Sequence, residues 1–202
     1  MGDRQTIADS KRAFHQRFPY VIAPLYRRLA DELLVELHLL SHQKQFKSNA
    51  LFAVGLDAVF RSFTKGYRPD EHPALLFDAL CSSNGFQAEA LKQEATATLE
   101  QARAQSETDL SAWLQQFALA DNSHYSRLMA IGLFSLLETA GSAAETKAET
   151  DTIKSKASDL SEALKLSSAR VDKDISLYLA NRERMELSLI HISEPTRPLY
   201  IS

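Results

Sequence analysis

Apolar positions recur every three or four residues along most of the chain, while the alternating runs that build strands are nearly absent. Thr6 and Asp9 form a capping-box variant ahead of a first helix that Pro19 terminates. Pro24 suits the first turn of a second helix, whose Leu25, Leu29, Leu33, Leu37 and Leu40 make one stripe. A third helix, "NALFAVGLDAVFRSFTKGY", has a wide apolar face and stops near Gly66. A shorter one surrounds "PALLFDALC" and breaks at Asn84-Gly85. Residues 87–105 are rich in the good helix formers Ala, Glu and Gln, and residues 107–119 carry Leu110, Trp113, Leu114 and Phe117 at helical spacing.

The stretch "HYSRLMAIGLFSLLETAG", residues 124–141, is apolar around most of its circumference. A membrane span needs roughly 20 nearly charge-free residues, and here Arg127 and Glu138 bracket only the ten from Leu128 to Leu137. The stretch is therefore expected to be a central core helix, with Gly132 admitting a close neighbouring backbone.

From about Ala144 the pattern changes, because some forty residues pass with neither Pro nor Gly. At about 1.5 Å rise per residue they could reach roughly 60 Å. Ala157, Leu164, Val171, Tyr178 and Met185 recur every seven residues, with Ile153 and Leu160 offset from them. Ser167, Asp174 and Asn181 interrupt the second seam of that heptad, so the expectation is a protruding helix with a partial coiled-coil face. The fold class is thus all-α, a helical bundle over residues 1–142 carrying a long coiled-coil-like helix over 143–187. The remainder, 188–202, reads as non-native or disordered sequence: Pro195 and Pro198 forbid a continuing helix, and the mixed charge pattern vanishes.

Composition narrows the chemistry. With 202 residues and a net charge of −3, the chain has room for one sizeable core and no broad basic face for nucleic acid. Cys81 is the single cysteine, so no intramolecular disulfide can form, and it reads as a buried inert thiol. No targeting leader is visible at the N-terminus, and "MGDRQT" satisfies only a loose myristoylation pattern. His38 and His42 stand four apart, as two metal ligands on a helix would, without a third ligand in the pattern. Glycines never cluster into a phosphate loop, and carboxylate pairs such as Asp31-Glu32 lie beside basic residues on solvated helix faces. No catalytic, cofactor or metal site is expected. Arg27, Arg28, Lys44 and Lys47 give a weak basic patch toward anionic headgroups. The alternating charges of "RVDKD" suit register with a partner helix, which makes Arg170, Asp172, Lys173, Asp174 and the seam residue Tyr178 the candidate partner-binding set.

Four blocks, "DSKRAFHQRFPYVIAPLYRRLADELLVELHLLS", "FAVGLDAVFRSFTKGYRP", "HYSRLMAIGLFSLLE" and "RVDKDISLYLANRERM", resemble in order and spacing the thylakoid formation family of photosystem II-associated proteins. The resemblance covers nearly everything from Thr6 to Met185. It implies an all-helical body with a C-terminal coiled-coil helix, and a role in thylakoid biogenesis and photosystem II assembly and repair through FtsH-type membrane proteases. It further implies a cyanobacterial-like member, soluble or peripheral on the cytoplasmic face of the thylakoid. The family carries no catalytic motif to transfer. A chlorophyll- or lipid-handling carrier, with the helices at 49–65 and 124–141 lining a cavity, is the alternative from another class.

Overall fold

The computed structural model describes residues 5–141 and 147–193. They form α1 (Ile7–Arg17), α2 (Pro24–Ser41), α3 (Ala50–Thr64), α4 (His72–Ser82), α5 (Ala88–Arg103), α6 (Glu107–Leu114) with a short 3₁₀ turn after it, α7 (Arg127–Ala140), α8 (Lys147–Ser161) and α9 (Ser168–Ser193). No strand occurs among the described residues. The helix starts follow the capping logic of the sequence. Thr6 and Asp9 close a full capping box, Asn49, Ser106 and Ser126 each accept a first-turn amide, and Pro24 opens α2. Gly66 and Gly85, both at positive φ, follow the ends of α3 and α4.

The centre of the bundle is the crossing of α3 and α7. Every residue from Leu128 to Leu137 is buried, as expected for a core helix. A Cβ added to Gly55 would overlap the Leu128 carbonyl oxygen outright and lie 2.9 Å from the Gly132 nitrogen. One on Gly132 would overlap the Leu51 carbonyl and lie 3.1 Å from the Gly55 nitrogen. Each glycine therefore sits where only hydrogen fits, and the two backbones touch. The loops leading into the helices are pinned together where the His124 amide donates to the Gln45 carbonyl, 3.0 Å away. The C-terminal parts of the two helices share a pocket wall, so they run side by side in the same direction.

The long protruding helix expected over 143–187 is not what forms. Residues 162–167 turn, Lys165 takes a left-handed conformation (φ 58°), and α8 and α9 are two helices packed on each other and on α7. The physical reason lies in two leucines within the turn. Leu164 and Leu166 are both buried in the body, and the Leu164 carbonyl accepts the Leu119 amide at 3.0 Å. Lys165 Nζ pairs with Asp121 at 2.7 Å. Burying two leucines is worth about 1.5 to 3 kcal/mol each, more than the propensity lost by breaking one helical turn.

The seam is occupied as well. Ala157, Val171, Ile175, Tyr178 and Met185 are buried and belong to the common core, with Ile153 and Leu160 packed at its edge. What was read as a partial coiled-coil face is the inward face of a layer laid over the bundle. The helix α9 continues through Ser193, so the first part of the segment read as non-native or disordered is helical; residues 194–202 and the 142/143 boundary lie outside the described residues.

Candidate functional site

Between α2 and α9 runs an open groove of about 280 Å³, floored by α3 and α7. Its apolar surface comes from the outer part of the α2 stripe, Leu25 and Leu29, facing Leu177 and Met185 of α9, with Val59 and Phe63 of α3 and Ile131 of α7 beneath. Leu177 remains 46% exposed, an apolar side chain that the chain's own fold leaves uncovered.

Charged groups border this surface in fixed positions. Arg127, the first residue of α7, directs both Nε (2.9 Å) and Nη2 (2.7 Å) to Oε2 of Glu36 on α2. Burial opposes the arginine's charge, yet Glu36, with Glu32 and Asp174 nearby, holds its pKa above the ordinary value. The Tyr125 hydroxyl donates to Asp174 Oδ2 at 2.7 Å, and burial together with that carboxylate pushes the phenol well up. Arg28 pairs with Glu32 one turn along α2. Arg184 completes the border from α9.

The candidate partner-binding residues separate into three kinds of environment. Arg170 and Lys173 are exposed. Asp172 is exposed but paired with Lys154 of α8 at 3.0 Å. Asp174 and Tyr178 line the groove, and both already serve the fold: Asp174 receives Tyr125, and the buried Tyr178 exchanges a hydrogen bond with Ser62 at 2.9 Å. The structure thus brings two of the five to one concave surface and places the other three outside it. Arg127, which sequence reasoning assigned to no site, lines its wall and is held there by Glu36. Its signal was present, since Arg127 and Glu138 are lone charges at the two ends of an otherwise apolar run; each finds its partner on another helix, Glu36 on α2 and Arg182 on α9.

The remaining candidates stay structural. Cys81 is fully buried, and desolvation pushes its thiol up to about 12, which leaves no thiolate at neutral pH. The His38 ring shares a hydrogen bond with Ser10 Oγ at 2.9 Å, and His42 Nδ1 donates to the His38 carbonyl at 2.8 Å. Among the described residues no three His, Cys, Asp or Glu gather as a metal site. The helices expected to line a carrier cavity, at 49–65 and 124–141, touch backbone on backbone at the glycine crossing, and beyond it Val59, Phe63 and Ile131 form the floor of the open groove.

These features define a class: an all-helical bundle that offers an amphipathic groove, with no helix among the described residues long and apolar enough to cross a membrane. The family model for the thylakoid formation protein matches residues 6–197. Protein Thf1 of Parasynechococcus marenigrum (strain WH8102) is 56% identical over 92% of this chain and 86% of its own length. Protein Thf1 of Synechococcus sp. (strain CC9605) is 54% identical over 96% and 90%. The solved structure of Psb29 superposes with a TM-score of 0.79 at 28% identity, covering 93% of each chain. The chain belongs to the thylakoid formation protein family.

Proposed function

We propose that this protein is a non-enzymatic accessory factor of thylakoid membrane biogenesis and photosystem II assembly and repair. It works peripherally at the cytoplasmic face of the thylakoid by associating with FtsH-type membrane protease complexes. Family membership supports the setting, and the names of its relatives, thylakoid formation protein and Psb29, agree with it. The single observation that carries the mode of action is the groove: Leu25, Leu29 and Leu177 offer apolar surface beside ordered charges. A partner helix laying its apolar stripe there gains burial and reads the charges for register.

This reading replaces a free rod by a groove whose far wall is that rod, already docked. Deleting residues 145–187 would therefore remove buried core rather than a detachable arm. The better test keeps the fold. Tagged protein carrying Leu177→Asp, alone and with Leu29→Asp, is recovered from solubilised cyanobacterial thylakoids, with circular dichroism as a check on helicity. The double variant is expected to retain FtsH subunits about tenfold less than the unsubstituted protein, the loss typical of a central interface residue. Undiminished recovery would sink the groove, and lack of FtsH subunits with the unsubstituted protein would sink the partner.

A chlorophyll- or lipid-handling carrier requires enclosed apolar space, whereas the helices expected to line it touch at the glycine crossing and otherwise floor an open groove. Absorbance of the purified protein after exposure to chlorophyll tests that reading; a stoichiometric red-shifted band would revive it.

A further inference from the structure

On the other side of α9 from the groove lies a second pocket, of about 330 Å³, at the lower end of the roughly 300 to 1,000 Å³ typical of ligand sites. Three arginines converge on it from three helices, Arg61 of α3, Arg103 of α5 and Arg182 of α9. We propose that this pocket binds a small organic phosphate or related oxyanion carrying a short apolar arm.

The charge balance is the first argument. Arg61 Nη2 pairs with Asp57 at 2.6 Å, and Arg182 Nη1 with Glu138 at a loose 3.5 Å, while Arg103 has no acidic partner among the described residues. Among the described lining residues three guanidiniums stand with one carboxylate, Glu138, and Asp57 pairs with Arg61 from outside the lining, which leaves a local positive excess in a chain of net charge −3. Each guanidinium has five N–H donors, so even the paired arginines keep most of theirs for a ligand. Phosphate and sulfonate oxygens match that planar fork, whereas a lone halide or a cation does not.

Preorganisation is the second argument. Arg182 has little freedom: its guanidinium lies 5.6 Å from the centre of the Tyr178 ring, and only 26% of its side chain is exposed. Tyr178 is itself fixed by Ser62, which also lines the pocket. An arginine held this way loses less entropy on binding than a free surface one. Val54, Ala58 and Leu99 form an apolar floor, which argues for an organic arm rather than the bare ion.

A soluble phosphomonoester and a phospholipid headgroup share this chemistry, and the experiment separates them. Calorimetry on the full chain uses inorganic phosphate and phenyl phosphate; co-sedimentation uses vesicles of phosphatidylglycerol, with phosphatidylcholine vesicles as the neutral control. Arg103→Gln and Arg182→Gln are compared with Arg12→Gln on distant α1. Phenyl phosphate is expected to bind several-fold tighter than inorganic phosphate, and loss of Arg103 to weaken it about tenfold or more, the effect of one charge-assisted hydrogen bond. Arg103→Lys, which keeps the charge without the fork, should recover part of the loss. Binding confined to phosphatidylglycerol vesicles and weakened by the same two variants would assign the pocket to a headgroup. The proposal is overturned if neither probe binds at millimolar concentration, if inorganic and phenyl phosphate bind equally, or if Arg103→Gln and Arg182→Gln behave like Arg12→Gln. Arg103 makes no ion pair among the described residues, so its variant tests binding with the least disturbance of the described fold.

Discussion

The crossing of α3 with α7 and the layer made by α8 and α9 are both helix-on-helix contacts, yet they are built by opposite means. At the crossing, Gly55 and Gly132 remove side chains so that backbone meets backbone. In the outer layer large side chains such as Val171, Ile175 and Tyr178 keep the helices at ordinary separation, and side-chain hydrogen bonds or ion pairs lock the edges: Tyr125 to Asp174, Ser62 to Tyr178, Arg182 to Glu138. A close contact between backbones tolerates no added atom, whereas a contact of interdigitated side chains with polar edges can be trimmed by degrees. The grooves lie in the second kind of region, where the spacing between helices leaves room for a ligand or a partner.

The largest effect should come from filling the crossing. Gly132→Ala or Gly55→Ala forces the helices apart, because the new methyl meets backbone and cannot be accommodated by a rotamer change. Each is expected to lower unfolding stability in urea by about 3 kcal/mol or more, at or beyond the upper end of overpacking costs. The double variant should cost clearly less than the sum, since the first substitution has already opened the same contact. Gly85→Ala gives the contrast: its φ is +80° and nothing lies within 4 Å of an added Cβ, so only backbone strain of about 1 to 2 kcal/mol is expected. Equal losses at Gly132 and Gly85 would mean the crossing is not sterically closed.

The outer layer sharpens the comparison along a single helix. Ile175→Ala, on the buried face of α9, should cost about 2 to 4 kcal/mol, while Leu177→Ala, two residues on and 46% exposed, should change stability by less than about 0.5 kcal/mol. The difference would vanish if α9 were a free rod, which makes this pair a direct check on its docking.

How much of this was legible in the sequence differs between the two regions in the same way. Helix starts at Thr6 and Pro24, the breaks at Gly66 and Gly85, and the burial of residues 128–137 follow from local rules of capping and periodicity, and Gly132 announced a close approach. The turn at 162–167 carries no Pro or Gly, so no local breaker marks it. It exists because Leu164 and Leu166 find sites in the body and Leu119 supplies a backbone donor, facts that depend on residues more than forty positions away. The same limit hid the groove, since Leu29 and Leu177 come to line one surface only after α9 has docked. A heptad states that one face of a helix is apolar; it does not state whether the cover is another protein or the chain's own core.

Smaller effects attach to the charged border of the groove. Glu36→Gln leaves Arg127 charged and half-buried without its carboxylate. With about a third of the arginine side chain exposed to screening water, a loss of about 1 to 2 kcal/mol is expected rather than the 3 to 5 kcal/mol of a fully buried pair. Chemical denaturation measures the loss. A cost near zero would show that water already satisfies Arg127, and that the border is mobile where the crossing is rigid.

The smallest expected effect is a pH dependence at the contact between α1 and α2. His38 is nearly buried, and desolvation, aided by the neighbouring His42, lowers its pKa. The neutral ring can accept from or donate to Ser10, whereas the imidazolium can only donate, and it must hold its charge away from water. The unfolded chain therefore binds the proton more readily than the folded one, and stability rises with pH wherever the two differ. The contribution is fully present above the unfolded value of about 6.5 and is lost as pH falls from there toward the folded pKa. The thermal midpoint should accordingly drop between neutral and mildly acidic pH, and His38→Gln, which can still reach Ser10 but does not titrate, should flatten that slope. An unchanged slope in the variant would move the acid sensitivity to another group and leave the α1–α2 contact, like the glycine crossing, indifferent to protons.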